Sequence, residues 1–197
     1  GAPLAVFGWM DAAVLGRDTP ISAQTGKLAV SSSDLPLVEH IHNVLGETNA
    51  QEQSSRPATL EEMAGGMSDF LASGVLPQWV ADVWEQVCQT GAGTVTVTYG
   101  TDIISYGYTG TDGVSCSYTT DLASDCVLGF QLYTKEGHDP SDEGRQAVME
   151  RYIQYLGLDV LGDWVYNGNR YQSPEAQLFV NALLEEDSGG FSIGVEL

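Results

Sequence analysis

The alternation of apolar and polar positions is most regular between residues 93 and 134. Four runs rich in β-branched and aromatic residues are separated there by short breaks rich in Gly, Asp, Thr and Ser. Such runs suit a pleated, half-buried surface, and the breaks have the length of hairpin turns. The pattern therefore predicts an antiparallel meander of four strands at residues 94–99, 103–108, 114–119 and 127–134.

Helical periodicity surrounds the meander. Pro36, two residues after the potential cap Asp34, indicates a helix start, and Thr59 with Glu62 forms a capping box before the next helix. A further apolar stripe at helical spacing, with two tryptophans on it, predicts a helix that packs against the sheet; it consists of Trp79, Val80, Val83, Trp84 and Val87. The predicted helices cover residues 9–15, 35–45, 60–73, 78–90, 142–156 and 174–184.

Several short strands complete the prediction. Asn167-Gly168 favours a type I′ turn in a hairpin of residues 164–172, and further strands are expected at residues 3–7, 27–30 and 191–195. The length of 197 residues suits one domain. We therefore expect a single α+β domain over residues 1–197, in which the meander and its edge strands pack against several helices in layers. A polar stretch at about residues 47–58 is predicted to be a flexible loop.

The charge balance narrows the classes of partner. The chain has 27 acidic and 7 basic residues, a net charge of −20 at pH 7. That charge repels phosphate groups, so nucleic acids and anionic membrane surfaces are excluded as partners.

No apolar run approaches the roughly 20 residues of a membrane-spanning helix, which predicts a soluble protein. Charged residues make up only 17% of the chain, so we expect an acidic extracellular medium rather than high salt.

The chain start and the cysteines fit secretion. The sequence begins Gly1-Ala2-Pro3, as expected of a mature chain after removal of a signal peptide. Cys116 and Cys126 fall on neighbouring predicted strands, so we expect a disulfide between them. Cys88 is then left over, either as a buried thiol or in an intermolecular bond.

Metal-ligating residues are sparse, and no cofactor or metal is expected. His40 and His42 diverge on a helix, so one ion would not bind both side chains. The weak candidates for metal ligands are His42, His138 and Asp139.

Recognisable catalytic motifs are missing from the sequence. It contains no Gly-x-Ser-x-Gly, no P-loop and no dinucleotide fingerprint. Carboxylates near tryptophans, a combination found in glycoside hydrolases, occur at Asp11, Asp82, Glu85 and Asp163.

Tyrosines concentrate on the meander. If helices cover one side of the sheet, the other side is expected to present tyrosine and threonine to solvent, a composition typical of recognition surfaces. The candidate binding residues are Tyr99, Tyr106, Tyr108, Tyr118 and Tyr133.

Together these patterns predict a secreted, extracellular, acid-adapted and non-enzymatic binding protein of the effector or protein-toxin type. Its partner would be an unidentified protein or glycan. One alternative is a small secreted acid hydrolase that uses a carboxylate pair on a polysaccharide. The other is an acidic structural or capsid-like subunit that forms homo-oligomers.

Overall fold

The structure is a computed structural model that describes residues 35–47, 53–137, 144–185 and 187–197. These residues form α-helices and a nine-stranded antiparallel sheet, so the α+β class is confirmed and the sheet is larger than the predicted meander with edge strands. The strands and helix expected within residues 1–34 lie outside the described residues.

The sheet is built from two antiparallel blocks that meet at its centre. The strand order is β1-β2-β3-β4-β5-β9-β8-β7-β6, so the meander forms one side and the C-terminal strands the other. The predicted meander is present as β2 to β5. The strands are β1 Ser54–Ala58, β2 Gly93–Tyr99, β3 Ile103–Gly110, β4 Ser115–Asp121, β5 Val127–Tyr133, β6 Val165–Tyr166, β7 Tyr171–Ser173, β8 Leu178–Glu185 and β9 Gly190–Glu196.

Five α-helices and one 3-10 turn are described beside the sheet. The capping box before the second helix is confirmed: the Thr59 hydroxyl accepts from the Glu62 N–H, and the Glu62 carboxylate accepts from the Thr59 N–H. The helices are α1 Pro36–Glu47, α2 Leu60–Gly65, α3 Ser68–Ala72, α4 Gln78–Thr90 and α5 Arg145–Tyr155, and the 3-10 turn is Leu158–Val160.

The structure corrects the sequence prediction at two helices. The predicted helix over residues 60–73 is two helices, because the chain turns at Gly66 and Met67 between α2 and α3. The predicted helix over residues 174–184 is a turn followed by β8. Gln177 takes a φ of 55°, which ends any helix, and the strand then pairs with β7 and β9. Pairing on both sides of β8 overrides its helical propensity.

Two loops also differ from the prediction. Five residues of the predicted flexible loop form β1, an edge strand that pairs with β2, while residues 48–52 lie outside the described residues. The hairpin at residues 164–172 has a four-residue loop rather than a type I′ turn, since Tyr166 pairs with Tyr171. Asn167 stabilises that loop by accepting hydrogen bonds from the N–H groups of Asn169 and Arg170.

Helices α2 to α5 contact the same face of the sheet. Phe70 of α3 packs against Phe130 of β5, and Trp84 of α4 meets both Phe130 and Tyr118 of β4 edge to face. Tyr152 of α5 donates a hydrogen bond of 2.7 Å to the carbonyl of Val127. The largest fully buried side chains, Trp84 and Trp164 among them, lie in this apolar core.

Candidate functional site

The register assigns each side chain of the sheet to one of two faces, because residues paired across strands share a face. Val97, Tyr106, Tyr118, Phe130 and Ile193 form one cross-strand row on the face that the helices contact. The side chains that alternate along each strand with the residues of this row point to the opposite side of the sheet. We call that side of strands β2, β3, β4, β5, β9 and β8 the open face.

Three parallel rows of mostly small polar side chains make up the open face. Each row crosses the six strands in the order β2-β3-β4-β5-β9-β8. The first row is Thr94, Thr109, Ser115, Tyr133, Gly190 and Glu185; the second is Thr96, Gly107, Ser117, Gln131, Ser192 and Leu183; the third is Thr98, Ser105, Thr119, Gly129, Gly194 and Asn181.

Hydrogen bonds within the rows hold several of these groups in place. The hydroxyls of Ser105 and Thr119 lie 2.7 Å apart on neighbouring strands. The side-chain amide of Gln131 donates to the Ser117 hydroxyl at 3.0 Å. A hydroxyl has one donor and two acceptor positions, so each retains capacity for a ligand after making one such bond. The open face is therefore an ordered array of donors and acceptors.

Two adjoining cavities lie on the open face. The first has a volume of about 560 Å³ and spans the second and third rows from β4 to β8. The second has a volume of about 550 Å³ and spans the first and second rows from β2 to β8. Both are lined by Ser117, Gln131, Leu183 and Ser192, so they form one depression. We call this combined depression the groove.

Glycines give the groove its depth. A Cβ built on Gly107 or on Gly129 would meet no other atom within 4 Å. The space above both residues is thus empty and lies between side chains that rise from the neighbouring strands. A side chain added at either position would occupy the groove.

The end of α1 borders the groove on one side. Val44 and Leu45 line a further cavity of about 400 Å³ together with Ser105, Thr119 and Gly194 of the third row. Val44 is buried and belongs to the apolar core, which fixes this end of the helix. The third row therefore runs beside an apolar wall, whereas the first row carries the exposed side chain of Tyr133.

Few charged side chains line the groove, although the chain carries a net charge of −20. Glu185 lies at the β8 end of the first row, and Glu196 and Arg145 line the first cavity. Arg170 lies 4.0 Å from Glu196 and stacks over Phe179, with its guanidinium carbon 3.6 Å from the ring centroid. The floor between these residues consists of uncharged hydroxyl, amide and glycine positions.

Four of the five tyrosines proposed as a binding surface lie on the helix-contacted face. Tyr108 and Tyr118 are buried, with 3% and 2% of their surface exposed, so they contribute to the core and not to a solvent-presented surface. Burial raises the pKa of both phenols. Tyr106 stacks on Tyr118, with ring centroids 5.4 Å apart. Tyr133 is 50% exposed and is the one member of the set on the open face.

Tyr99 belongs to a small polar cluster at the sheet edge. Arg56 of β1 donates hydrogen bonds of 2.8 Å to the Glu62 carboxylate and to the Tyr99 hydroxyl. The hydrogen bond from Arg56, followed by the one from the Thr59 N–H, holds the pKa of Glu62 below its usual range. The bond to Glu62 and then the bond to Tyr99 raise the pKa of Arg56. These contacts join β1 to α2 and leave Tyr99 outside the groove.

The expected disulfide is absent, because Cys88, Cys116 and Cys126 are all free thiols. Cys116 lies opposite Leu132, whereas Cys126 precedes β5 at the other end of the hairpin. Leu132 lies six positions after Cys126 along this extended segment, a distance of roughly 20 Å. The hairpin thus places the two thiols at its opposite ends, far beyond the reach of a bridge.

The predicted metal ligands are not brought together by the described residues. His42 Nε2 lies 2.6 Å from the carbonyl of Ala176, so this ring nitrogen is engaged in a structural contact. His138 and Asp139 lie outside the described residues. Within the described ranges, no group of three or more His, Cys, Asp or Glu side chains is arranged to hold a metal ion.

The carboxylates near tryptophans serve separate local contacts. Asp82 accepts from Gln78 and Glu85 accepts from Gln89, both within α4. Asp163 accepts from the Ser173 hydroxyl at 2.7 Å and also from the N–H of Glu175 in the turn before β8. Asp11 lies outside the described residues. Each described member is thus held by a local hydrogen bond.

Sequence reasoning expected threonine beside tyrosine on the solvent-facing side of the sheet, but it named none of the individual hydroxyl and amide residues of the groove. The signal was present in the alternation Thr94-Val95-Thr96-Val97-Thr98, which places three threonines on one face and two valines on the other.

Compared with known proteins, the chain matches no family model, no curated protein and no solved structure. Over the part of the chain that the structure describes, no helix has the length and apolar character needed to cross a membrane.

Proposed function

We propose that this protein is a secreted, acid-adapted, non-enzymatic binding protein of the effector or toxin type, and that it binds a neutral glycan on the open face of its sheet. The groove carries the proposal, because it combines about 560 Å³ and 550 Å³ of adjoining space with an uncharged floor of hydroxyl and amide groups. In this proposal helices α2 to α5 form one layer, the sheet forms the other, and the groove faces solvent.

The chemistry of the floor favours a polyhydroxylated ligand. Sugar hydroxyls both donate and accept hydrogen bonds, as do the side chains of Thr96, Ser117 and Ser192 in the second row. Desolvating such groups is costly unless they find partners, so a ligand rich in hydroxyls suits them better than an apolar one. The net charge of −20 disfavours polyanionic ligands, which leaves neutral glycans as the class with the best match.

Calorimetric titration tests the proposal with defined oligosaccharides. The probes are cellohexaose, laminarihexaose and N-acetylated chitohexaose, with a heparin hexasaccharide as the anionic comparison, at pH 4.5 and pH 7. We expect at least one neutral hexasaccharide to bind and the heparin fragment not to bind. If none of the neutral probes binds at either pH, the proposal is wrong. Release of reducing ends from a probe would instead support the hydrolase alternative.

Gly107→Val is the variant that localises the binding. Its side chain fills open space between Thr96 and Ser117, and a β-branched residue suits the middle of a strand, so the fold should be retained. Ala72→Val, at an exposed position of α3 on the helical side, is the matched control. We expect Gly107→Val to weaken glycan binding by about tenfold or more, with Ala72→Val unchanged. Equal binding by both variants would place the site elsewhere.

A further inference from the structure

We infer that the ligand is an extended glycan chain that lies across the strands, with Tyr133 as its stacking platform. This inference rests on the proposed function and concerns the shape of the ligand and one specificity-determining residue. It follows from the dimensions of the groove, from the position of the Tyr133 ring and from the distribution of charge.

The groove is longest in the direction perpendicular to the strands. The second cavity has lining residues on all six strands from β2 to β8. Six strands separated by about 4.8 Å extend over roughly 24 Å. The three rows, by contrast, lie two residues apart along each strand, so the whole site measures only about 14 Å in that direction. A site with these proportions fits several sugar units in line better than a compact monosaccharide or disaccharide.

The ring of Tyr133 lies beside Gly190 of β9. Its cross-strand neighbours are Ser115 and Gly190, two of the smallest residues. A Cβ built on Gly190 would lie 3.8 Å from Cδ2 of Tyr133, so one edge of the ring lies within van der Waals contact of that position. Half of the tyrosine surface remains exposed at the edge of the second cavity.

A half-exposed ring that lines a polar groove presents an apolar surface to whatever occupies the groove. The less polar face of a sugar ring packs on such a surface while its hydroxyls reach the neighbouring side chains. Aromatic side chains supply large contact area with little loss of conformational entropy, which suits them to recognition. Leu183, exposed in the second row on β8, adds apolar contact at the other end of the groove.

Charge favours an uncharged chain along the whole length of the groove. Glu185 stands beside Gly190 in the first row, and Glu196 lines the first cavity. These carboxylates repel anionic sugars at the β8 and β9 side, whereas Arg145 is the single cation that lines either cavity among the residues the structure describes. An uncharged chain passes both carboxylates and donates hydrogen bonds to them.

Chain length and the tyrosine ring are tested together by calorimetry on the full chain. Each neutral hexasaccharide is compared with the disaccharide of the same linkage, namely cellobiose, laminaribiose and N-acetylated chitobiose. We expect the hexasaccharide that binds to do so about tenfold or more tighter than its disaccharide. We expect Tyr133→Ala to weaken that binding roughly two- to tenfold and Tyr133→Phe to leave it nearly unchanged. Leu122→Ala is the matched control, since Leu122 is 45% exposed in the turn after β4 and lies off the groove.

The outcomes separate this inference from the proposed function. Equal affinity for disaccharide and hexasaccharide, or no effect of Tyr133→Ala while Gly107→Val abolishes binding, would overturn the inference and leave the proposed function standing. Failure of every neutral oligosaccharide to bind would overturn both. A second copy of the chain is the competing occupant of the groove. A dimer seen by light scattering without glycan, and disrupted by Gly107→Val but not by Ala72→Val, would also overturn both.

Discussion

Tyr118 on β4 donates a hydrogen bond of 2.6 Å to the main-chain carbonyl of Met63 on α2. The same ring stacks on Tyr106 and meets Trp84 of α4 edge to face. One side chain therefore joins the middle of the sheet to two helices. Gly66, directly after α2, has no Cβ to obstruct the phenol, since a Cβ there would overlap the Tyr118 hydroxyl.

Removing the Tyr118 hydroxyl should destabilise the fold without disturbing its packing. Tyr118→Phe leaves the buried carbonyl of Met63 without this partner, so we expect a loss of about 1–3 kcal/mol in the free energy of unfolding. Chemical denaturation measures this loss. Tyr133→Phe, which removes an exposed hydroxyl, should change stability by less than about 0.5 kcal/mol. Equal stability of the two variants would mean that the Met63 contact contributes nothing.

Local sequence signals predicted the elements whose stabilisation is local. The Thr59 and Glu62 capping box, the helix after Pro77 and the meander of β2 to β5 depend on neighbours in the sequence, and all are present. The strand β8 depends instead on its partners β7 and β9, which no local pattern reveals. Alternate side chains of β8 are buried, namely Leu178, Val180 and Ala182, although the apolar residues of this segment are also spaced as in a helix.

The sequence pattern did not decide which face of the sheet carries the tyrosines, for a reason of parity. A shift of one residue moves a side chain to the other face of a sheet, so predicting the strands correctly does not decide which face the helices cover. Tyr106 and Tyr108 do share a face, as their spacing predicted, but it is the face that the helices contact. The threonines between the valines of β2 lie on the open face instead. Composition alone favoured the tyrosines as binding residues, whereas the burial of the side chains favours the threonines, because they lie on the open face.

The three thiols should differ in reactivity. Burial raises the pKa of Cys116 to about 12, so almost none of this thiol is ionised near neutral pH. Cys88 and Cys126 are half-buried and their pKa values are raised less, again by burial. With maleimide at pH 7.5 we expect slow labelling of Cys88 and Cys126 and labelling of Cys116 only after denaturation. Peptide mapping by mass spectrometry checks this.

Intact mass provides the independent control for the thiols. Because all three cysteines are free, reduction should leave the mass of the unlabelled chain unchanged. A gain of two hydrogen masses on reduction would show a bridge and contradict the presence of three free thiols. Rapid labelling of Cys116 in the folded chain would contradict its burial.

Alkaline pH should release the contact between α5 and β5. Tyr152 donates to the Val127 carbonyl, and the Tyr155 hydroxyl accepts from the Val127 N–H at 2.8 Å. Burial raises the pKa of Tyr152 and raises that of Tyr155 to about 12, above the ordinary value of about 10. Since the folded state holds these protons more tightly, the stabilisation is fully present below pH ~10 and is lost as the pH rises through about 12.

Thermal unfolding between pH 8 and pH 12, followed together with tyrosinate absorbance, tests this release. We expect the unfolding temperature to fall from about pH 10 upward and the buried phenols to ionise only as the chain unfolds. Tyr155→Phe should be less stable at pH 8, because the hydroxyl no longer pairs with the Val127 N–H, and should show a shallower alkaline decline. An unchanged decline in this variant would assign the alkaline effect to other groups.

Acid should have two opposite effects on stability. The net charge of −20 means that carboxylates repel one another at pH 7, and their partial protonation towards pH 5 relieves that repulsion. Glu62 acts in the other direction, because the hydrogen bond from Arg56 and the one from the Thr59 N–H lower its pKa in the folded chain. A lowered folded-state pKa gives stabilisation that is present above the unfolded value of about 4.3 and is lost as the pH falls below it. We therefore expect the unfolding temperature to rise from pH 7 to about pH 5 and to fall again below about pH 4.

Salt and a single substitution separate the two effects. Sodium chloride at pH 7 screens charge repulsion, so it should raise the unfolding temperature much as mild acid does. Glu62→Gln removes one carboxylate and its acid-labile contact with Arg56, so its unfolding temperature should fall less steeply below pH 4 than that of the unmodified chain. Gln53, exposed before β1, offers no carboxylate, and Gln53→Ala serves as the neutral control. A flat profile from pH 7 to pH 5 that does not respond to salt would mean that the acidic residues do not repel one another in the folded chain, and the argument for adaptation to an acidic medium would fail with it.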